Sequence, residues 1–174
     1  MKRAVNYLAW LWLFGAGFSF GSTAIANDET QLKAAFIFNF IKYITWPEEV
    51  EQSAAGLQFC ILGEEISNQD LYLLANRKIR SLTLSLVHLD SAKDIEGCDL
   101  IYVTSPELGE SVIESAHKKA ILTIGDGENF VENGGIISLF EERSRIRFDI
   151  NLTQAKVSHL QISSKLLQLG RKVL

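Results

Sequence analysis

The sequence is short of cysteine, proline and histidine: two, two and three among 174 residues. No C-x-x-C pair occurs, which excludes a dithiol redox site of the thioredoxin type. His88, His117 and His159 are scattered, with no H-x-x-x-H or mixed Cys/His spacing, so no zinc site is readable. G-x-S-x-G and the Walker loop are missing too, which removes a nucleophile elbow and a phosphate cradle. There is no internal repeat, no low-complexity run and no linker that would split the chain. Positive charge is also scarce: 17 Lys and Arg stand against 21 Asp and Glu, a net charge of −4. Nucleic-acid binding needs a basic face, so that class is excluded. With no nucleophile and base pair, no cofactor motif and no metal ligands in view, the chain reads as a binding protein rather than an enzyme.

What the chain does have is an export leader. Lys2 and Arg3 form a positive start, residues 4–20 are an apolar run, and Ser22, Thr23, Ala24, Ile25 and Ala26 close it with small residues in the A-x-A pattern. That is the layout of a signal peptide cleaved after Ala26. The alternative is a transmembrane anchor, for which the run is short. On the export reading, Trp10 and Trp12 leave with the leader and the loss of Lys2 and Arg3 moves the net charge from −4 to −6. Residues 1–26 are then signal peptide and 27–174 a single domain, long enough to bury a real core.

Export changes the meaning of Cys60 and Cys98. In a reducing compartment they would be buried thiols. In an oxidising one, two cysteines beside strands read as one disulfide.

Local patterns set out an α/β domain. Asp28, with Gln31 three residues on, makes a capping-box pattern for a helix that runs to about Thr45, before Trp46 and Pro47. Strands are expected at 57–62, 82–89, 100–104 and 120–124, with helices at 68–76 and 108–119. This alternation argues for a mainly parallel central sheet flanked by helices. The C-terminal part differs. Residues 136–140, a turn at 141–144, and the strict alternation of Arg145, Arg147 and Asp149 with Ile146, Phe148 and Ile150 make an antiparallel hairpin. A helix at 151–157, an extended piece at 159–163 and a last helix capped by Ser164 complete the chain.

The stretch QLKAAFIFNFIKYITWPEE, residues 31–49, is apolar almost all the way round as a helix. Gln31, Asn39 and Lys42 share one narrow arc and Lys33 lies near the opposite side. Such a helix must be covered on most of its circumference. One reading packs it wholly in the core. The other packs one side on the sheet and turns some of Phe36, Phe38, Phe40 and Tyr43 toward another chain.

At these residues the chain resembles a known family. KAAFIFNFIKYITWPEE, FCILGEE, CDLIYVT, ILTIGD, GGIISL, RIRFDINL and ISSKLLQLGRKV occur in this order in the YfiR-like family of bacterial periplasmic proteins. The resemblance covers essentially all of 27–174. It implies a periplasmic regulator that restrains an inner-membrane diguanylate cyclase by binding its periplasmic domain, and so controls cyclic-di-GMP and biofilm formation. It also implies homodimers, and an outer-membrane lipoprotein as a second partner that relieves the restraint. Cys60 and Cys98 match the family's central cysteine pair. Some members carry a second pair nearer the C-terminus, which this chain lacks.

Other clusters have bland and sharp readings. Glu64 and Glu65 follow the first strand as in a phosphoreceiver domain, but no aspartate follows the third strand, where Thr104 and Ser105 stand. Gly125, Asp126, Gly127, Gly134 and Gly135 could cradle an anion or simply make turns. Arg77 and Arg80 flank a strand start. Arg77 with Arg80, Arg143 with Arg145 and Arg147 on one face of the hairpin, and Arg171 with Lys172 near the end are clusters that could hold a carboxylate or phosphate ligand or an acidic partner, with Arg145, Arg147 and Arg171 the candidate ligand residues. Their bland reading is solvated edge-strand charge. The expectation is a periplasmic regulator acting through protein binding, with no cofactor. A periplasmic small-ligand sensor is the alternative, and a hydrolase is disfavoured.

Overall fold

Helix α1 covers Thr23–Tyr43, and the chain turns out of it into the two-residue strand β1, Ile44–Thr45. In this computed structural model residues 23–63, 69–117 and 119–174 are described. The leader's charged start and apolar run, and the Glu64–Glu65 pair, lie outside the described residues. The helix starts before the expected Asp28 cap, because residues 23–27 contain neither glycine nor proline to stop it. It ends just ahead of Trp46–Pro47, since proline disfavours α backbone in the residue before it.

After α2, Glu48–Glu51, the central sheet begins with β2, Leu57–Leu62. The short α3, Gln69–Tyr72, leads to β3, Lys78–Ile79, and β4, Leu82–Leu89. The helix expected over 68–76 is therefore mostly a turn. Asn76 takes φ 62°, and its N–H donates to Leu84 O, so the sheet edge captures the segment. Strand β5, Leu100–Val103, follows a 3-10 turn at Ala92–Asp94. A second 3-10 turn, Pro106–Leu108, opens into α4, Gly109–Ala116, which is shorter than the expected 108–119. Then come β6, Leu122–Asp126; β7, Ile137–Glu142; β8, Arg145–Ile150; α5, Leu152–Val157; β9, Gln161–Ile162; and α6, Ser164–Leu167.

The seven-stranded sheet has the order β3-β4-β2-β5-β6-β7-β8. Strands β4, β2, β5, β6 and β7 run parallel, while β3 and β8 close its two ends as antiparallel hairpins. A separate antiparallel pair joins β1 to β9. The expected α/β class, the mainly parallel sheet and the C-terminal hairpin are all present.

A parallel sheet needs cover on both faces. One face is wide. Phe59, Ile61, Leu100, Tyr102, Ile124, Leu139 and Phe148 pack there against Ala34, Ile37, Phe40, Ile41 and Ile44 of the α1 side. The other is narrow. Leu62, Ile101 and Val103 meet Ala92, Ile95, Val112 and Ala116 around a bond between Cys60 and Cys98. On this second face Phe130 lies in a slot between Gly109, Gly125 and Gly135. A Cβ on Gly125 or Gly135 would collide with its ring. These two glycines are small because an aromatic ring fills their space.

The Cys60–Cys98 bond closes a sequence separation of 38 residues, with both cysteines buried and their Cα atoms 5.9 Å apart. Loop closure of that length stabilises a fold by about 4 kcal/mol, less any strain. The Cys60→Ala/Cys98→Ala protein should therefore lose up to about that amount in a denaturant melt. In the oxidised native protein neither sulfur should react with an alkylating agent before reduction. Alkylation of both in that state would contradict the bond.

Candidate interaction surfaces

Helix α1 is the longest element described and is pinned at its middle and at its C-terminal end. At the middle the Lys33 ammonium donates to Asp126 at 2.8 Å and pairs with Glu29 at 3.0 Å. Asp126, the last residue of β6, takes the Tyr102 hydroxyl on its other oxygen at 2.6 Å. Burial opposes the Lys33 charge, but the two carboxylates outweigh it and raise its pKa above the ordinary lysine value. Burial first, and then the Asp126 charge, hold the Tyr102 phenol well above its usual value. At the C-terminal end of α1, Arg80 reaches over from the β3–β4 turn. Its guanidinium donates to the carbonyls of Ile41, Lys42 and Ile44 at 3.2–3.4 Å, and to Glu51. The last carbonyls of a helix lack partners within it and carry partial negative charge, so Arg80 is a C-terminal cap supplied from another element.

With those anchors set, the outward face of α1 is legible. Leu32 is 45% and Tyr43 37% exposed, and Gln31, Ala35, Asn39 and Lys42 share their side. The four aromatic residues expected at a partner surface divide. Phe40, 1% exposed, belongs to the chain's own core, its ring 4.9 Å from that of Phe148. It is thereby withdrawn from any partner surface. Phe36 is half-buried, with its ring 6.0 Å from Phe148 and 6.1 Å from Phe40. Phe38 is half-buried beneath the Lys42 ammonium and the Arg77 guanidinium. Tyr43 remains the most open of the four.

The three arginines divide as well. Arg171 grips Asp149 with two nitrogens, reaches Glu128 and Glu142 at 3.0 and 3.1 Å, and lies over the Phe140 ring. Its pKa is raised, chiefly by the Asp149 hydrogen bonds. An arginine so engaged has no fork left for an external ligand, which corrects its expected ligand role. Arg145 and Arg147 are exposed on β8 and make no salt bridge among the described residues.

At the carboxyl ends of the parallel strands, His88, Ile61 and Tyr102 lie in one row across β4, β2 and β5. His88 Nδ1 is buried and has no hydrogen-bond partner among the described residues. Among the described residues no helix is long and apolar enough to cross a membrane, and no group of side chains has metal-ligand geometry.

Residues 30–171 match the model of a family described as YfiR/HmsC-like. No curated protein matches the chain. Solved structures share its fold, two of them as follows. A conserved domain protein from Vibrio cholerae O1 biovar El Tor superposes with a TM-score of 0.58 at 15% identity, over 83% of this chain and 60% of that one. The ABC domain from Streptococcus pneumoniae, in complex with L-Trp, superposes with a TM-score of 0.56 at 15% identity, with the same coverage of 83% and 60%. The chain thus spans about 60% of the length of either structure.

Two measurements test the polar anchors. Arg171→Ala leaves the buried Asp149 carboxylate without its partner and should cost about 2 kcal/mol in a urea melt. Arg171→Lys should recover only part of that, because an ammonium cannot make the fork. An unchanged melt for the alanine variant would remove the anchor. The second measurement is alkaline. The folded pKa values of Lys33 and Tyr102 both lie above their unfolded values, so their contribution is complete below about pH 10 and is lost as pH climbs through the folded values. The Lys33→Met/Tyr102→Phe protein should show a flatter fall in stability above about pH 10 than the parent. Equal slopes would refute the assignment.

Proposed function

The chain belongs to the YfiR/HmsC-like family of non-catalytic periplasmic regulatory domains, and from that premise we propose that it restrains an inner-membrane diguanylate cyclase by binding the cyclase's periplasmic domain. It thereby limits cyclic-di-GMP and biofilm formation from outside the cytoplasm. The family match over 30–171 carries this reading, because it takes in nearly the whole of the described fold. Residues 1–26 act as the export signal. Cleavage after Ala26 shortens α1 to 27–43 and leaves Lys33 and Arg80, its two anchors, in place.

The outward face of α1 is the binding surface in this reading. Leu32 and Tyr43 supply open apolar area, and half-buried Phe36 and Phe38 flank it. Aromatic and aliphatic anchors on a fixed helix suit a protein partner, since a few such residues carry most interface energy. The same face serves homodimerisation, so that dimer and cyclase complex compete. An outer-membrane lipoprotein that sequesters the protein would relieve the restraint.

A second reading, a periplasmic small-ligand sensor, has one specific support. The buried, unpartnered Nδ1 of His88 lies at the carboxyl ends of the strands, where open α/β sheets bind ligands. One protein of like fold was solved with L-Trp. Thermal-shift titration with amino acids and nucleotides tests it, and a melt unmoved by every compound would end it.

For the main reading, Leu32→Glu/Tyr43→Glu should melt like the parent yet fail to retain the cyclase on affinity capture from detergent-solubilised membranes. Cells carrying it should show raised cyclic-di-GMP. Phe40→Ala should behave oppositely, losing roughly 3–5 kcal/mol of stability through the cavity it leaves. Undiminished capture by the double glutamate variant would move the interface off α1. Unchanged cyclic-di-GMP on deleting the gene would overturn the function itself.

A further inference from the structure

The C-terminal tail covers only part of the β8 edge. Ile150 N–H donates to Lys172 O at 2.9 Å, Leu174 N–H to Ile150 O at 2.8 Å, and Arg171 N–H to Phe148 O at 2.9 Å. Backbone groups alternate in direction along an antiparallel strand. Ile146 therefore points its N–H and C=O the same way as Phe148 and Ile150, beyond the reach of the tail. Among the described residues no strand other than β7 pairs with β8, so this stretch of edge is open.

Arg145 and Arg147 flank Ile146, and both are exposed without a salt bridge among the described residues. The turn beyond adds a third exposed guanidinium. Arg143 at φ 52° and Ser144 at φ 59° form a two-residue loop with both residues left-handed, a conformation that favours Asn-Gly. Hairpin geometry alone therefore gives no reason for an arginine there.

We propose that the open edge at 145–147 takes an added strand from a partner, an extended acidic segment with carboxylates at alternate positions. The backbone of Ile146 supplies the ladder bonds. Alternate side chains of a strand lie about 6.7 Å apart on one face. Glu or Asp at alternate positions of the added strand therefore falls beside Arg145 and Arg147. A second copy of this chain is rejected by the same geometry. Antiparallel pairing of two β8 strands about Ile146 sets Arg145 of one against Arg147 of the other, and like charges directly opposite are destabilising. Lipid headgroups would satisfy the guanidiniums but leave the Ile146 amide without use, so a peptide fits both features. This surface is separate from the face of α1, and the inference does not rest on the cyclase reading.

The test uses the purified full chain and a fluorescein-labelled peptide of alternating threonine and glutamate. Binding should appear at low salt and weaken at least about tenfold for Arg145→Glu/Arg147→Glu, a variant of exposed residues whose melt should match the parent. A Thr-Lys peptide should not bind. A peptide of the same charge with proline at the central threonine should bind at least about tenfold more weakly, because proline cannot donate to the ladder. The Ile146 amide should exchange hydrogen more slowly in the complex. The proposal fails if the parent shows no binding, if the double variant or the proline peptide binds equally well, or if the Ile146 amide is unprotected. Flotation with phosphatidylglycerol vesicles lost on Arg145→Glu/Arg147→Glu, without peptide binding, would overturn it in favour of a lipid surface.

Discussion

A parallel sheet buried on both faces needs two covers, and among the described residues one long helix is available to make them. Everything else adjusts to that shortage. Helix α1 must hold a fixed place across the wide face, because no other helix of its length among the described residues shares the task. Hydrophobic contact alone does not fix position along a smooth apolar surface, whereas directional bonds do. Lys33 meets Asp126 at the carboxyl end of β6, and Arg80 takes the carbonyls at the far end of α1. Thr30 also donates to Asp70 beside α3. These contacts hold the helix in register with the sheet, and so decide which of its residues are left facing out.

The narrow face solves the same problem differently. Its cover is α4, eight residues long, with the 3-10 turn at Ala92–Asp94. So small a hydrophobic cluster supplies limited burial energy, and the Cys60–Cys98 bond sits inside it. The bond ties β2 to the segment entering β5, the central strand of the seven. Phe130 adds bulk where helix is lacking, at the expense of any side chain on Gly125 and Gly135.

Much of this was legible in the residues. The continuous apolar run 57–62 marks a buried strand by composition alone, and the alternation over 145–150 marks the hairpin. The half-exposed partners of α1 were harder. Periodicity says that a helix is apolar on nearly all sides, but not which sides its neighbours take. Phe40 and Tyr43, three positions apart, therefore looked alike and proved to be core and surface. Lys33 was the one readable clue. A lysine on the buried side of a helix needs a carboxylate, although nothing local identifies Asp126, 93 residues away. Arg80 and Arg171 were read as possible ligand residues because their real partners also lie far off in sequence. Arg80 binds carbonyls 36–39 residues distant, and Arg171 binds carboxylates 22–43 residues distant.

Where the cations go separates scaffold from surface. Lys33, Arg80 and Arg171 end on carboxylates or carbonyls of the chain itself, while Lys42 and Arg77 lie over Phe38. Arg145 and Arg147 do neither among the described residues, although acidic residues outnumber basic ones in the chain. Unneutralised guanidiniums on an acidic molecule make a local potential opposite in sign to its surroundings. Anionic partners are then repelled by most of the surface and admitted only where they meet this strip in alignment. Attraction confined to one edge, set in general repulsion, gives discrimination that neither supplies alone. An edge strand left charged rather than fully covered is also protected from pairing with its own kind. On the proposed edge reading the same two arginines serve solubility and selection together, and neither role requires the other to be given up.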